Sequence, residues 1–69
     1  MSPKEEQAFK QKLESVLQLK GANADKFLKM VKQGEIIYVN FQTSYDAVVR
    51  FNDGYEELVD SSNVFGRVI

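Results

Sequence analysis

Few side chains in this sequence are suited to catalysis or to metal binding. Its 69 residues include neither histidine nor cysteine, which are among the commonest general bases, nucleophiles and zinc ligands in proteins. Glu56 and Glu57 are adjacent, and on a strand neighbouring side chains point to opposite faces and cannot share a site. No glycine-rich phosphate loop is present, and Asn-Asp-Gly at 52–54 lacks the repeated oxygen ligands of a calcium loop. We therefore expect a protein that is not an enzyme and that uses no cofactor or metal.

The residues best suited to recognition lie in the C-terminal half, around the segment VVRFNDGYEELV at 48–59. Tyrosine combines a large apolar ring with a hydroxyl that needs water or a partner, and it is enriched at protein interfaces. Carboxylates flank the tyrosines and would suit a cationic partner, such as a lysine- or arginine-rich peptide or surface. The residues predicted to contact a protein partner are Tyr38, Tyr45, Arg50, Phe51, Asp53, Tyr55 and Glu56.

Within this segment, FNDGYEELV resembles the central hairpin of Tudor domains, small SH3-like barrels that bind methylated lysine or arginine. The resemblance extends over residues 45–64 and is closest at the pattern Phe-x-Asp-Gly-Tyr-Glu. It implies that Phe51, Asp53 and Tyr55 contribute to an aromatic cage that holds a methylammonium group by cation–π attraction. In the family a Trp or Tyr from an earlier strand completes the cage. This sequence has no tryptophan, so Tyr38 or Tyr45 would take that place.

Charge is distributed unequally along the sequence. Residues 1–33 carry seven lysines against four acids, net +3, whereas residues 34–69 carry two arginines against six acids, net −4. Lysines on the helical half could contact the phosphates of nucleic acid, with an affinity that falls steeply as salt rises. We keep a nucleic-acid-associated factor as an alternative, with Lys10, Lys12, Lys26 and Lys29 as its candidate residues. Acids interleaved with these lysines dilute their field, so protein binding is the preferred interpretation.

Two amphipathic helices are predicted in residues 1–34. Ser2 and Glu5 form a capping box around Pro3 that begins the first helix. Gly21 is expected to end this helix in a left-handed conformation, and Asn23 to cap the second after a connection at 20–22. The apolar stripes are Phe9, Leu13, Val16 and Leu17 in the first helix, and Ala24, Phe27, Leu28 and Val31 in the second. Asp25 is expected to pair with Lys29 one turn later, and Gly34 to end the second helix.

The periodicity changes to that of strands at Glu35. The predicted strands are 35–41, 45–51 and 55–60, and the last apolar run, VFGRVI at 64–69, would supply a fourth. In the first strand Ile37, Val39 and Phe41 are expected to face the core. Phe41, Phe51 and Phe65 are expected to fill the space between the sheet and the helices.

The turn at 52–54 permits two registers. In a three-residue loop with Gly54 in the left-handed conformation, Arg50 lies opposite Glu56 and Val48 opposite Leu58. In a two-residue Asp-Gly loop, Phe51 would instead lie opposite Glu56. We favour the three-residue loop because it pairs Phe51 with Tyr55 and matches a cation to an anion across the strands.

Together these elements predict a single α+β domain over residues 1–69. An antiparallel helical hairpin (1–34) packs on a three- or four-stranded antiparallel meander (35–69), for which SH3-like geometry is one option. A charged N-terminal segment and the lack of a long apolar run predict a cytoplasmic protein.

The predicted function is a non-catalytic protein-binding module, or a small regulator or inhibitor that contacts a protein partner through its sheet. Small size and a cysteine-free composition are shared with phage-encoded regulators, which is an analogy only. A further alternative is a structural homodimer that forms through the strand at 64–69, because so small a core would gain from such an interface.

Overall fold

The structure, a computed structural model, describes residues 1–64 as two helices followed by three strands. The elements are α1 (Pro3–Leu17), α2 (Ala22–Lys32), β1 (Ile36–Asn40), β2 (Asp46–Phe51) and β3 (Glu56–Asp60). The strands form one antiparallel meander in the order β1-β2-β3. The predicted α+β fold, a helical hairpin on a small antiparallel sheet, is confirmed. Of the proposed fourth strand, only Val64 lies within the described residues; it is fully buried and belongs to no strand, and residues 65–69 lie outside the described part.

Helix α1 begins as the sequence predicts. The Ser2 hydroxyl accepts a hydrogen bond from the Glu5 backbone N–H, and the Glu5 carboxylate accepts one from the Ser2 backbone N–H. The bond from the Ser2 N–H to the carboxylate is the main reason that the pKa of Glu5 lies below its ordinary value. The predicted apolar stripe also packs as expected, since Leu13, Val16 and Leu17 are buried and Phe9 packs against them.

The junction between the helices differs from the prediction. Helix α1 ends at Gln18, in the left-handed conformation with φ 56°, rather than at Gly21. Gly21 instead precedes α2 as its N-cap with φ 57°, and Asn23 lies inside α2. The physical reason is Leu19, which is completely buried. Because Leu19 lies outside the stripe of α1, the helix must end before it for its side chain to reach the core.

Two ion pairs join the helices across the hairpin. Lys10 Nζ lies 2.9 Å from Asp25 Oδ1, and Lys32 Nζ lies 3.0 Å from Glu6 Oε2. The predicted pairing of Asp25 with Lys29 is therefore wrong, because packing of the antiparallel helices brings Lys10 of α1 to Asp25. Hydrogen bonding to this carboxylate raises the pKa of Lys10. Such exposed pairs contribute little free energy, and their effect is to favour one alignment of the helices.

Helix α2 ends as predicted at Gly34. Gly34 adopts φ 79°, its N–H bonds to the Val31 carbonyl, and the Glu35 N–H bonds to the Met30 carbonyl at 2.9 Å. This pattern is a Schellman motif, which requires a left-handed residue that glycine supplies at little cost. It turns the chain directly from α2 into β1.

Strand β1 contains an irregularity that the sequence analysis missed. Ile36 lies opposite Phe51, and Tyr38 lies opposite Arg50, so the strand carries one extra residue in a β-bulge. Ile36 is 2% exposed, whereas Ile37 is 57% exposed. The prediction that Ile37 faces the core is therefore wrong. Because of the extra residue, Ile36 occupies the core-facing position and Ile37 is exposed. Val39 and Phe41 are half-buried and pack against the core, as expected.

The β2–β3 hairpin adopts the favoured register. Val48 pairs with Leu58 and Arg50 with Glu56, and the Phe51 N–H donates to the Tyr55 carbonyl at 2.8 Å. Gly54 has φ 90°, as the three-residue loop requires.

The core lies between the helices and one face of the sheet. Its buried members are Leu13, Val16, Leu17, Leu19, Ala24, Phe27, Ile36, Ala47, Val49, Phe51, Val59 and Val64. The expectations for Phe41 and Phe51 agree with this packing, since Phe41 is half-buried with its ring centroid 5.9 Å from that of Phe9. Phe65 lies outside the described residues. All core residues from the sheet share one face, which leaves the other face uncovered by α1 and α2.

The adjacent isoleucines of β1 test the bulge directly. Ile36→Val should lower the free energy of unfolding by about 0.5–1.5 kcal/mol, because it removes a buried methylene. Ile37→Val should change it by less than about 0.5 kcal/mol. Urea denaturation followed by circular dichroism measures both. The opposite ranking would show that β1 is a regular strand with Ile37 in the core.

Candidate protein-binding face

The side of the sheet that points away from the helices is the candidate site, and we call it the outer face. Alternation along the strands places on it every second residue. In β2 the core residues Ala47, Val49 and Phe51 are buried, so Val48 and Arg50 point outwards. By the same alternation and the observed register, the outer face comprises Tyr38, Asn40, Asp46, Val48, Arg50, Glu56, Leu58 and Asp60.

A row of three side chains crosses one end of the outer face. Tyr38, Arg50 and Glu56 lie opposite one another on the three strands. Arg50 Nε lies 2.7 Å from Glu56 Oε2, and the guanidinium carbon lies 5.0 Å from the centroid of the Tyr38 ring. The ion pair and the cation–π contact hold the arginine from two sides. The structure therefore confines the Arg50 side chain before any partner arrives.

Apolar side chains adjoin this row. Leu58 is 54% exposed and Tyr38 is 43% exposed, and Val48, which pairs with Leu58, is half-buried. The solvated face of an antiparallel sheet is commonly polar, so this combination is unusual. Sequence analysis omitted Val48 and Leu58 from the site, although its favoured register already placed them opposite each other and on the same face as Arg50.

Tyr55 and Phe51 lie on the other side of the sheet from the row. Their ring centroids are 6.1 Å apart, and Phe51 is only 5% exposed because it belongs to the core. The Tyr55 hydroxyl lies 3.2 Å from Glu57 Oε2 on the same side, and Asp53 Oδ1 accepts a hydrogen bond from the Tyr55 N–H within the turn. Phe51, Asp53 and Tyr55 therefore meet at the hairpin, but Tyr38 is not on their side.

Tyr45 lies at the far end of the sheet. It precedes β2 in the β1–β2 loop, and its N–H donates to the Thr43 hydroxyl at 3.2 Å. The turn at 52–54 follows the opposite end of β2, and a strand of this length spans about 16 Å. Of the seven predicted contact residues, the structure thus groups Tyr38, Arg50 and Glu56 on the outer face, groups Phe51, Asp53 and Tyr55 at the hairpin, and leaves Tyr45 apart.

The four candidate lysines lie on both helices, and Lys10 and Lys12 among them contact other side chains. Lys10 is engaged with Asp25 between the helices, and Lys12 points to the end of β1, with its Nζ 5.8 Å from the Phe41 ring centroid. Lys26 and Lys29 lie one turn apart on α2.

A compact turn follows β3 at the end of the outer face. The Asp60 carboxylate accepts hydrogen bonds from the Ser62 hydroxyl at 2.6 Å and from the Ser62 N–H at 2.9 Å. These bonds hold the pKa of Asp60 below its ordinary value of 3.8, with the hydroxyl as the largest cause. Asp46, which lies opposite Asp60, accepts from the Thr43 hydroxyl at 2.8 Å. Two carboxylates therefore face each other at this end of the sheet.

Other kinds of site find little support in the part of the chain described. No cluster of three potential metal ligands occurs within residues 1–64. Neither helix there has the length and apolar character needed to cross a membrane. Comparison with known protein families, with curated proteins and with solved structures finds no match to this chain.

The Asp60 turn has a measurable pH signature. Ser62→Ala removes the hydroxyl donor and should raise the pKa of Asp60, as an NMR titration of its side-chain carboxyl would show. Because the folded state lowers this pKa, the turn's contribution to stability is present above pH 3.8 and is lost as the pH falls through the folded-state pKa. Ser61→Ala is the matched control and should leave the titration unchanged. An Asp60 pKa that is equal in the wild type and in Ser62→Ala would contradict this hydrogen bond.

Proposed function

We propose that this protein is a non-catalytic protein-binding module that contacts a protein partner through the outer face of its sheet. The observation that carries the proposal is the row of Tyr38, Arg50 and Glu56, with exposed Leu58 beside it on a face that the helices leave uncovered. Tyrosine and arginine are the residue types that most often dominate the free energy of protein interfaces.

The restricted mobility of the side chains in the row favours binding. An arginine side chain that is immobilised on association loses rotamer freedom, at a cost of about 0.5–1.5 kcal/mol. Arg50 is already held between the Tyr38 ring and the Glu56 carboxylate, so much of this loss occurs on folding. Leu58 and Val48 would add apolar area, which stabilises a complex by about 25 cal/mol for each Å² removed from water.

The charges around the outer face favour a basic partner. Residues 35–64 carry six acids and one arginine. Asp46 and Asp60 lie directly opposite each other on this face, and like charges in that position destabilise a sheet. A lysine or arginine of the partner placed between them would relieve this repulsion. We therefore propose a partner with a basic peptide or surface, whose cation meets the end of the sheet at Asp46 and Asp60.

The proposed role is that of a small regulator or inhibitor acting in the cytoplasm. SH3-like geometry and the Tudor-type recognition of a methylated side chain stay predictions. In a Tudor-type complex the ligand would bind at the hairpin of Phe51 and Tyr55, on the opposite side of the sheet from the row.

The outer face is tested by comparing partner capture by matched tyrosine variants. Tyr38→Ala and Arg50→Ala should weaken binding of a captured partner by at least about 30-fold, as expected for central interface residues. Tyr55→Ala and Tyr45→Ala remove rings that are more exposed than Tyr38 and lie elsewhere, and they should leave the affinity nearly unchanged. Affinity chromatography with mass spectrometry identifies the partner, and isothermal titration calorimetry measures each variant after circular dichroism has shown that it is folded.

One result would overturn the proposal that the outer face binds the partner. If Tyr55→Ala abolishes capture and Tyr38→Ala and Arg50→Ala do not, the partner binds at the hairpin, and the outer face has no role in its recognition.

A further inference from the structure

The two edges of the described sheet differ in how well they are protected. Three of the five residues of β3 are acidic, and the side chain of Asn63 folds back onto its open edge. Asn63 Oδ1 accepts from the Asp60 N–H at 2.7 Å, and its Nδ2 donates to the Leu58 carbonyl at 3.3 Å. The amide thus occupies the backbone groups that another strand would use. Charged residues and occupied backbone groups are the usual means by which proteins prevent pairing at an edge.

Strand β1, at the other edge, has no such protection from any part of residues 1–64. Its sequence, IIYVN, contains no charged residue and no proline. The Phe51 N–H bonds to β3, and the Asn52 N–H bonds to Glu35, on the β1 side. Backbone groups of successive residues in the central strand point alternately to its two neighbours. The N–H and C=O of Arg50 and Val48 therefore point to β1. Arg50 and Val48 pair there with Tyr38 and Asn40. The N–H and C=O of Val39, which lies between these two residues, therefore point away from the sheet. A shallow apolar groove lined by Phe9, Val31, Ile37 and Val39 runs beside this edge.

We propose that β1 pairs with β1 of a second copy of this chain, antiparallel about a two-fold axis that passes beside Val39. Val39 of each copy would donate to and accept from Val39 of the other. Since β1 carries no charge, this self-pairing brings no like charges together within the strand. The axis is perpendicular to the sheet, so both pairs of helices lie on the same side of a continuous six-stranded sheet.

Charges at the two ends of β1 specify the second copy and its direction. Glu35 precedes β1 and is exposed, and Lys12 lies beside Phe41, just past the other end. Antiparallel pairing brings Glu35 of one copy towards Lys12 of the other, and the two-fold axis repeats the contact. Parallel pairing would instead place the two glutamates together at one end and the two lysines together at the other.

The assembly closes at two copies. Pairing through β1 uses the unprotected edge of each chain, and the edges that remain are both β3, which the acids and Asn63 protect. An isologous interface of this kind forms a dimer rather than an open filament. The outer faces of the two copies would lie side by side, so one dimer presents two copies of the row. This inference does not depend on what the outer face binds.

Sedimentation equilibrium and size-exclusion chromatography with light scattering test the proposal on the full chain. We expect the wild type to have twice the mass of the monomer at micromolar to submillimolar concentration. Val39→Pro should give a monomer, because proline removes the N–H that points outwards while an edge strand tolerates its loss. Circular dichroism shows whether this variant is folded.

Charge reversal supplies a second test that does not alter the backbone. Lys12→Glu and Glu35→Lys should each raise the dimer dissociation constant by about tenfold, since each change affects two contacts per dimer. The double variant, which restores opposite charges across the axis, should recover most of the wild-type affinity. Leu58→Lys is the control: it adds a charge on the outer face, away from β1, and should not change the dissociation constant.

Three outcomes would overturn the proposal. They are a wild type that stays monomeric at submillimolar concentration, a wild type that forms larger open-ended species, and a dimer whose dissociation constant is unchanged by Lys12→Glu, by Glu35→Lys and by a folded Val39→Pro. A dimer weakened by Leu58→Lys alone would assign self-association to the outer face instead. Loss of partner capture in the Tyr38 and Arg50 variants bears on the outer face only, so the two proposals fail separately.

Discussion

The constraint on which the structure depends is that, within residues 1–64, helices cover the sheet on one side only. Every core residue from the strands must therefore lie on that side, and strict alternation assigns its neighbours to the other. Ala47, Val49 and Phe51 pack against α1 and α2, and this fixes Val48 and Arg50 in solvent. The exposed row of Tyr38, Arg50 and Glu56 is thus a direct consequence of how the core is built. A shift of register by one residue would exchange the two faces completely.

A chain of this size has a small free energy of unfolding, about 3–10 kcal/mol by the usual scaling. Local interactions therefore matter for where its helices begin and end and how they align. The capping box at Ser2 and the Schellman motif at Gly34 set where the helices begin and end. The ion pairs of Lys10 with Asp25 and of Lys32 with Glu6 link the two helices. They add little free energy, and they select one alignment among several that similar apolar stripes would permit. In the observed alignment Phe27 and Leu19 lie in the same core.

Much of this architecture could be predicted from the sequence, since the strongest local signals agree with the final fold. The capping box, the apolar stripes and the Asn-Asp-Gly turn each depend on residues close in sequence, and the hairpin register followed from pairing Arg50 with Glu56. The predictions that proved wrong concern residues whose conformation or partner is set by tertiary contacts. Gln18 adopts a left-handed conformation because Leu19 must be buried, Asp25 binds Lys10 from the other helix, and Ile36 replaces Ile37 in the core because β1 is bulged opposite Phe51. The same limit applies to the site. Composition indicated Tyr38, Tyr45 and Tyr55 together, and only the three-dimensional structure separates them.

The side-chain amide of Asn63 protects the edge of β3, and it is open to slow chemical change. Asparagine side chains hydrolyse slowly to carboxylates, and here the amide nitrogen is the donor to the Leu58 carbonyl. Hydrolysis would leave a negatively charged acceptor facing that carbonyl and beside the Asp60 carboxylate, so the contact would become repulsive. The Leu58 carbonyl would then lose its donor, whereas a carboxylate oxygen could still accept from the Asp60 N–H, so side chain 63 would cover one backbone group of the β3 edge and not two.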